Sequence, residues 1–342
     1  MRPPPVPGGL PSIPDEESDQ APKTNSSHPY RSAASEEPLP SWEQYWQSCR
    51  DIAINDTDTF RVYRTGTRGP LVFCLHGGGH SSLSWSFVAE RVRESVRLIA
   101  YDCRGHGSTV CADEDDFSAD RLVQDALALI QKVFDEVCES EPAPAEPPKP
   151  LPIKLPPQKG PDIVLVGHSM GGAIAVRTAA SGRVPNLKGL VVVDVVEGTA
   201  LEALPHMRGV VERMPSSFAS PHEAVEWAVS SRTLLNRDSA RISVPSQLVQ
   251  RDDRWVWRCD LMKTAGFWDG WFRGLSGLFL QSRCVKLLLL AGQDTLDKEL
   301  MIAQMQGKFQ LKLIRSGHVI EEDRPEQVAD ALVEFVTRFK MR

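Results

Sequence analysis

The sequence predicts an α/β protein with a mostly parallel central sheet and helices on both faces. Two observations carry that expectation. Apolar runs of strand length alternate with stretches of helical periodicity over most of the 342 residues. In addition, a Gly-His-Ser-Met-Gly turn at residues 167–171 sits between one such run and one such helical stretch, the junction at which α/β sheets place their functional groups.

The elements follow in order. Ten of the 26 prolines lie in residues 1–40, and few large apolar groups accompany them, so this segment reads as a disordered tail. Residues 41–342 read as a single domain. Trp42 and Trp46 resume the aromatic content, and residues 51–63 alternate apolar and polar positions like a pair of leading strands. Leu71-Val72-Phe73-Cys74-Leu75 is a buried strand, 84–94 has helical spacing, 97–101 is a strand and 119–137 a helix with one apolar face. Residues 139–160 hold eight prolines and read as a solvent-exposed insertion. A strand at 163–166 then leads into the serine turn and a helix through Thr178, with further strands at 190–193, 286–291 and 310–314 and a final helix at 326–339. The mixed stretch at about 198–283 is expected to be a cap inserted between the sixth and seventh strands. Five of the eight tryptophans lie there, at 227, 255, 257, 268 and 271; large rings in such a place line an apolar cleft or form the cap's own core.

Composition narrows the function. A net charge of −6 leaves no basic footprint for nucleic acid. No apolar stretch is long enough to span a membrane, and the proline-rich start lacks the apolar core of a signal peptide. Seven cysteines without paired spacing suggest neither a disulfide scaffold nor a metal site. A reducing compartment, cytoplasm or nucleus, is the expectation, with no cofactor and no metal.

Gly167-His168-Ser169-Met170-Gly171 fits G-x-S-x-G in its proper strand–turn–helix context. Glycines on either side permit a strained turn that lifts the Ser169 hydroxyl above the sheet edge. A serine needs a base to accept its proton, in the order Ser, acid, His. Of eight histidines, His318 alone stands in a loop directly after the last strand and before the final helix, whereas His206 and His222 fall in the cap. Two aspartates close strands in the required interval, Asp194 after 191–193 and Asp294 after 290–293, and the residues themselves leave that choice open. Leu75-His76-Gly77-Gly78-Gly79-His80 ends the first core strand with side-chain-free backbone. It resembles the glycine-rich oxyanion loop of α/β hydrolases, with N–H donors expected at Gly78 and Met170 and Gly77 as a further candidate. Asp102-Cys103-Arg104-Gly105-His106-Gly107 reads as a structural turn bordering the site.

The chain resembles the protein phosphatase methylesterases, α/β hydrolases that remove the methyl ester from the C-terminal leucine of the protein phosphatase 2A catalytic subunit. The likeness rests on His76-Gly77-Gly78-Gly79-His80-Ser81, on Gly167 through Val176, on Asp194-Val195-Val196-Glu197-Gly198-Thr199-Ala200, on Trp268-Asp269-Gly270-Trp271-Phe272-Arg273-Gly274-Leu275-Ser276 and on 304–310. It implies a Ser169, Asp194, His318 triad, an acyl-enzyme on Ser169, the phosphatase tail as substrate and partner, and a monomer. Two departures stand out: residues 241–254 lack the long acidic insert of that family's cap, and 139–160 is an addition. The same residues also suit a general small-molecule or lipid carboxylesterase, or a phosphatase-binding regulator whose catalysis is secondary. Asp194→Asn should lower esterase turnover by about 10⁴-fold while Asp294→Asn leaves it near normal; steady-state rates of the two purified variants check this, and the reverse order would make Asp294 the acid.

Overall fold

The computed structural model describes residues 37–140, 160–292 and 296–342. All but the end of the 1–40 tail, most of the proline-rich insertion and Asp294 lie outside the described residues.

Among the described residues, strands β1 (Ser48–Ala53), β2 (Thr59–Thr65) and β3 (Leu71–Leu75) precede helix α1 (Ser86–Val92) and strand β4 (Arg97–Tyr101). Helix α2 (Ala119–Ser140), β5 (Ile163–His168), α3 (Met170–Ala180) and β6 (Leu187–Val193) follow. Beyond β6 come α4 (Glu197–Glu212), α5 (Pro221–Ser230), α6 (Arg237–Ser246), a hairpin of β7 (Leu248–Arg251) and β8 (Arg254–Trp257), then α7 (Leu261–Thr264), α8 (Trp268–Phe272) and α9 (Leu275–Gln281). The chain returns to the sheet with β9 (Val285–Leu290), α10 (Lys298–Met305), β10 (Gln310–Leu313), α11 (Ile320–Asp323) and α12 (Pro325–Arg338).

Eight strands form one sheet in the order β1-β2-β4-β3-β5-β6-β9-β10. The leading pair is antiparallel, as is β2 against β4, and the remaining pairs from β4 to β10 are parallel. Strands covered on both faces read as unbroken apolar runs, and β3 divides its run accordingly. Leu71, Phe73 and Leu75 join Leu129, Ile130 and Ile174 of α2 and α3 in one core cluster. Val72 and Cys74 join Val88 of α1 and Leu332 of α12 in the other.

The sequence expectations differ from the structure in three places. The helical spacing at 84–94 resolves into a 3-10 turn at Ser82–Trp85, whose Ser81 cap accepts from Leu83 N, followed by the shorter α1. The polar stretch at 241–254 contains the end of α6 and most of a hairpin whose Asp252 has φ 50°. Its strands are only four residues long, and the Asp-Asp turn is not the Asn-Gly type that marks hairpins in a sequence. Helix α10 has an Asp297 cap, accepting from Leu300 N at 2.9 Å, but little apolar periodicity to announce it. Both attachment points of the proline-rich insertion are described: it leaves α2 and returns to the start of β5, the end of that strand away from Ser169.

One buried ion cluster ties the turn after β4 to its surroundings. Arg104 sends Nε and Nη2 to the two carboxylate oxygens of Asp125 on α2, both at 2.8 Å, and Nη2 also reaches Asp58 at 3.0 Å. All three side chains are buried. Removing only the cation strands two carboxylates away from water, so Arg104→Met should destabilise the protein by about 3–5 kcal/mol; urea unfolding of the variant against the wild type measures this.

Candidate active site

Ser169 occupies the turn from β5 to α3 with φ 49° and ψ −117°, a conformation that costs an L-residue about 1–3 kcal/mol and persists only where neighbours enforce it. The enforcement is visible. Ser169 N donates to Val193 O at 3.0 Å, and Ser169 O accepts from Ala173 N at 3.0 Å as α3 begins. A Cβ on Gly171 would come within 2.4 Å of Leu75 O and 2.5 Å of His76 O, and one on Gly167 within 2.2 Å of Gly171 O. Only glycine allows the first turn of α3 to press this closely against the ends of β3 and β5.

Asp194 follows β6 directly, also with positive φ, 51°. Its main-chain N–H donates to Leu289 O at 2.8 Å, and its Oδ1 accepts from Ala291 N at 2.8 Å. Its Oδ2 lies 2.7 Å from Nδ1 of His318. The carboxylate is largely buried while the His318 ring is more than half exposed on the cleft side. The loop that carries His318 is tethered by Asp323, whose carboxylate accepts from Gly317 N at 3.2 Å and from Leu235 N at 2.7 Å. Ser169, Asp194, His318, Gly78 and Met170 all line one cleft of about 980 Å³.

The glycine turn is braced by two buried imidazoles. His76 Nδ1 faces Gly77 O at 2.8 Å, and its Nε2 accepts from Cys103 N at 2.9 Å. His106 Nδ1 faces Arg104 O at 2.8 Å, and its Nε2 accepts from Gly79 N at 2.9 Å. Each ring therefore needs one protonated and one bare nitrogen, which is the neutral form. Burial favours the same state, lowering His106 to about 4 and His76 well below its ordinary value. The Asp-Cys-Arg-Gly-His-Gly turn thus borders the site as the sequence implied, with His106 acting on the backbone of Gly79.

The far wall of the cleft comes from the segment between β6 and β9. Helix α4 buries none of its side chains fully and turns Ala200, Leu204, Met207 and Val211 toward the cavity. The tryptophans divide their work. Trp257 meets Phe218 and Trp227 edge-on, and Trp227 lies tilted against Phe218, in a small separate core. Trp268 and Trp271 enter the main core, their indole N–H groups donating to Thr264 Oγ1 and Phe117 O, each at 2.7 Å. These four also line the cleft, so the rings serve as core and lining together. At the rim Arg258 pairs with Glu114 at 2.7 Å and Lys263 with Asp115 at 2.8 Å. No group of three or more His, Cys, Asp or Glu side chains converges as a metal site among the described residues.

Sequence reasoning missed the support beneath His318. His168 is buried, and its Nε2 lies 3.0 Å from the main-chain oxygen of His318. Glu321, Glu322 and Asp323 are all buried as well, although a run of three acids ordinarily marks a solvated surface. The only hint was their position three to five residues after His318.

A strained serine elbow at the carboxyl edge of a mostly parallel sheet, with an aspartate at the end of the adjacent strand contacting a histidine from the loop after the last strand, defines an α/β hydrolase, and the sequence model of the Alpha/beta hydrolase family matches residues 71–331. Solved structures agree on the fold: E-2-(acetamidomethylene)succinate hydrolase superposes with a TM-score of 0.67 at 19% identity over 85% of this chain and 99% of its own. The Mycobacterium tuberculosis esterase Rv0045c gives 0.60 at 21% identity over 88% and 93%. Curated sequences are nearer. Protein phosphatase methylesterase 1 of Bos taurus is 39% identical, covering 89% of this chain and 87% of the relative, and a probable protein phosphatase methylesterase 1 of Dictyostelium discoideum is 41% identical over 83% and 86%. The chain belongs to the protein phosphatase methylesterase family of α/β hydrolases and is an esterase.

Proposed function

We propose that the chain hydrolyses the methyl ester of the C-terminal leucine of a protein phosphatase 2A catalytic subunit, with Ser169 as nucleophile, His318 as base and Asp194 as its partner. The observation that carries this reading is the 2.7 Å contact of His318 Nδ1 with Asp194 Oδ2, in the same cleft as the Ser169 elbow. With its proton held on Nδ1 by the carboxylate, the imidazole has Nε2 available as a base.

The cycle then follows from the geometry. Ser169 Oγ attacks the ester carbonyl as His318 takes its proton, and the carboxylate of Asp194 stabilises the imidazolium so formed. Negative charge develops on the carbonyl oxygen, where the N–H groups of Gly78 and Met170, with Gly77 adjacent, are the donors we assign. The imidazolium returns the proton to methoxide and methanol leaves. Water, deprotonated by His318, splits the acyl-enzyme and frees the leucine carboxylate. The apolar side of the cleft, Leu204, Met207 and Leu261, suits a leucine side chain next to the scissile ester. The seven free thiols fit a reducing compartment, cytoplasm or nucleus. A monomer suffices for this chemistry, since every group invoked comes from one chain.

Incubation of the purified protein with methylated phosphatase catalytic subunit should release methanol. Ser169→Ala should reduce that release by at least about 10³-fold while the circular-dichroism spectrum stays unchanged. Methanol release retained in the variant would contradict the assignment.

A further inference from the structure

Beneath the Asp194–His318 pair lies a second histidine–carboxylate contact that the reaction cycle does not use. His168, the last residue of β5 and the one before Ser169, is 1% exposed, and Glu321 on α11 is 0% exposed. His168 Nδ1 lies 3.0 Å from Glu321 Oε1, and the His168 and His318 rings are 4.8 Å apart.

The hydrogens can be assigned from the partners. The oxygen facing His168 Nε2, the main-chain carbonyl of His318 at 3.0 Å, can only accept, so Nε2 carries the proton. In the neutral ring Nδ1 is then an acceptor. An ionised Glu321 would set acceptor against acceptor at that 3.0 Å contact, and neither its carboxylate oxygens nor His168 Nδ1 has any other side-chain partner. Its neighbour Glu322 is served differently, receiving the Ser243 hydroxyl and standing 3.3 Å from His80 Nδ1. The arrangement closes without an orphaned group when Glu321 is the neutral acid and donates to His168 Nδ1.

We propose that Glu321 and His168 form a buried positioning pair: the Glu321 carboxyl donates to His168 Nδ1, which fixes the tautomer whose Nε2–H holds the main-chain carbonyl of His318 and so aims the catalytic imidazole at Ser169. The pair links the residue before the nucleophile to the residue that carries the base, and it rests on the reading of His318 as that base. The groups that face Glu321 are Cys74 of β3, His80 of the glycine turn, His168 itself, His318 and the adjacent Glu322. Burial, followed by the charge of Glu322, raises Glu321 to about 8, and burial lowers His168 well below its ordinary value. Both shifts agree with a neutral pair.

Two variants, a pH profile and one spectrum test this. Glu321→Leu removes the donor at similar volume and should lower kcat about 10-fold with KM nearly unchanged. In Glu321→Gln the amide N–H₂ can donate as the acid does, so most of kcat should return at pH 7. The wild type should lose kcat as pH rises through about 8, when the donor is deprotonated, and the Gln variant should lack that fall. Stability should follow the same proton. The folded protein keeps it up to about pH 8 while the unfolded chain releases it near 4.5, so wild-type stability drops across that window. Glu321→Gln should therefore gain Tm relative to the wild type at pH 8 and lose that gain at pH 5. If Glu321→Leu does not fold, the Gln pH profile decides alone. A Gln variant no better than Leu, or one that retains the alkaline fall, overturns the proposal. Ring ¹⁵N spectra of the wild type read the His168 tautomer without turnover: Nε2–H at pH 7 supports the pair, and Nδ1–H or an imidazolium overturns it. Either failure leaves the Ser169 and His318 reading standing, because that reading is decided by Ser169→Ala.

Discussion

Three main chains meet around Ser169 with almost no side chain between them. The carbonyls of Leu75 and His76 stand where a Cβ on Gly171 would have to go, and Gly171 O stands where one on Gly167 would go. This crowding holds Ser169 at a positive φ that the residue would not choose. It also places the ends of β3, β5 and β6 side by side, so the glycine turn, the serine and Asp194 emerge at one edge of the sheet. The strain at the elbow is sustained by both apolar layers that clamp the sheet, which is why the site depends on the core as a whole.

Around that edge the molecule keeps most of its buried polar groups neutral or internally satisfied. His76 and His106 each have one nitrogen donating and one accepting, and both lock main chain of the glycine turn or its neighbour. The proposed Glu321–His168 pair extends the same logic beneath His318. Away from the elbow the Arg104 cluster buries charge, one guanidinium answering two carboxylates, while Asp102, Glu322 and Asp323, buried nearer the site, take main-chain N–H or hydroxyl donors. Asp194 is the carboxylate that contacts His318.

Much of the fold was legible because it is written in local pattern. The apolar runs of β3 and β5 are buried on both faces, the spacing of α2 exposes a single apolar side, and the glycines at 167 and 171 announce a turn that no other residue fits. The position of Ser169 followed from them. The choice of acid did not follow, because the order β5-β6-β9-β10 leaves two strands between those that lead into Ser169 and His318, and either can end in an aspartate. Only a resemblance or coordinates could favour Asp194. The hairpin of β7 and β8 escaped because four-residue strands carry little period. The buried acids at 321–323 escaped because burial of charge is a tertiary fact: α11 is apolar only at Ile320, and it is the packing of α6, α12 and the glycine turn around it that removes water.

The central claim is that the elbow serine becomes the covalent nucleophile of an ester hydrolysis served by His318. The most direct measurement is intact-protein and peptide mass spectrometry after rapid mixing with an activated short-chain ester and acid quenching. The account predicts a single acyl adduct on the peptide that contains Ser169 and no adduct in protein lacking the serine hydroxyl. Turnover without any adduct, or an adduct mapped to a different residue, would contradict it.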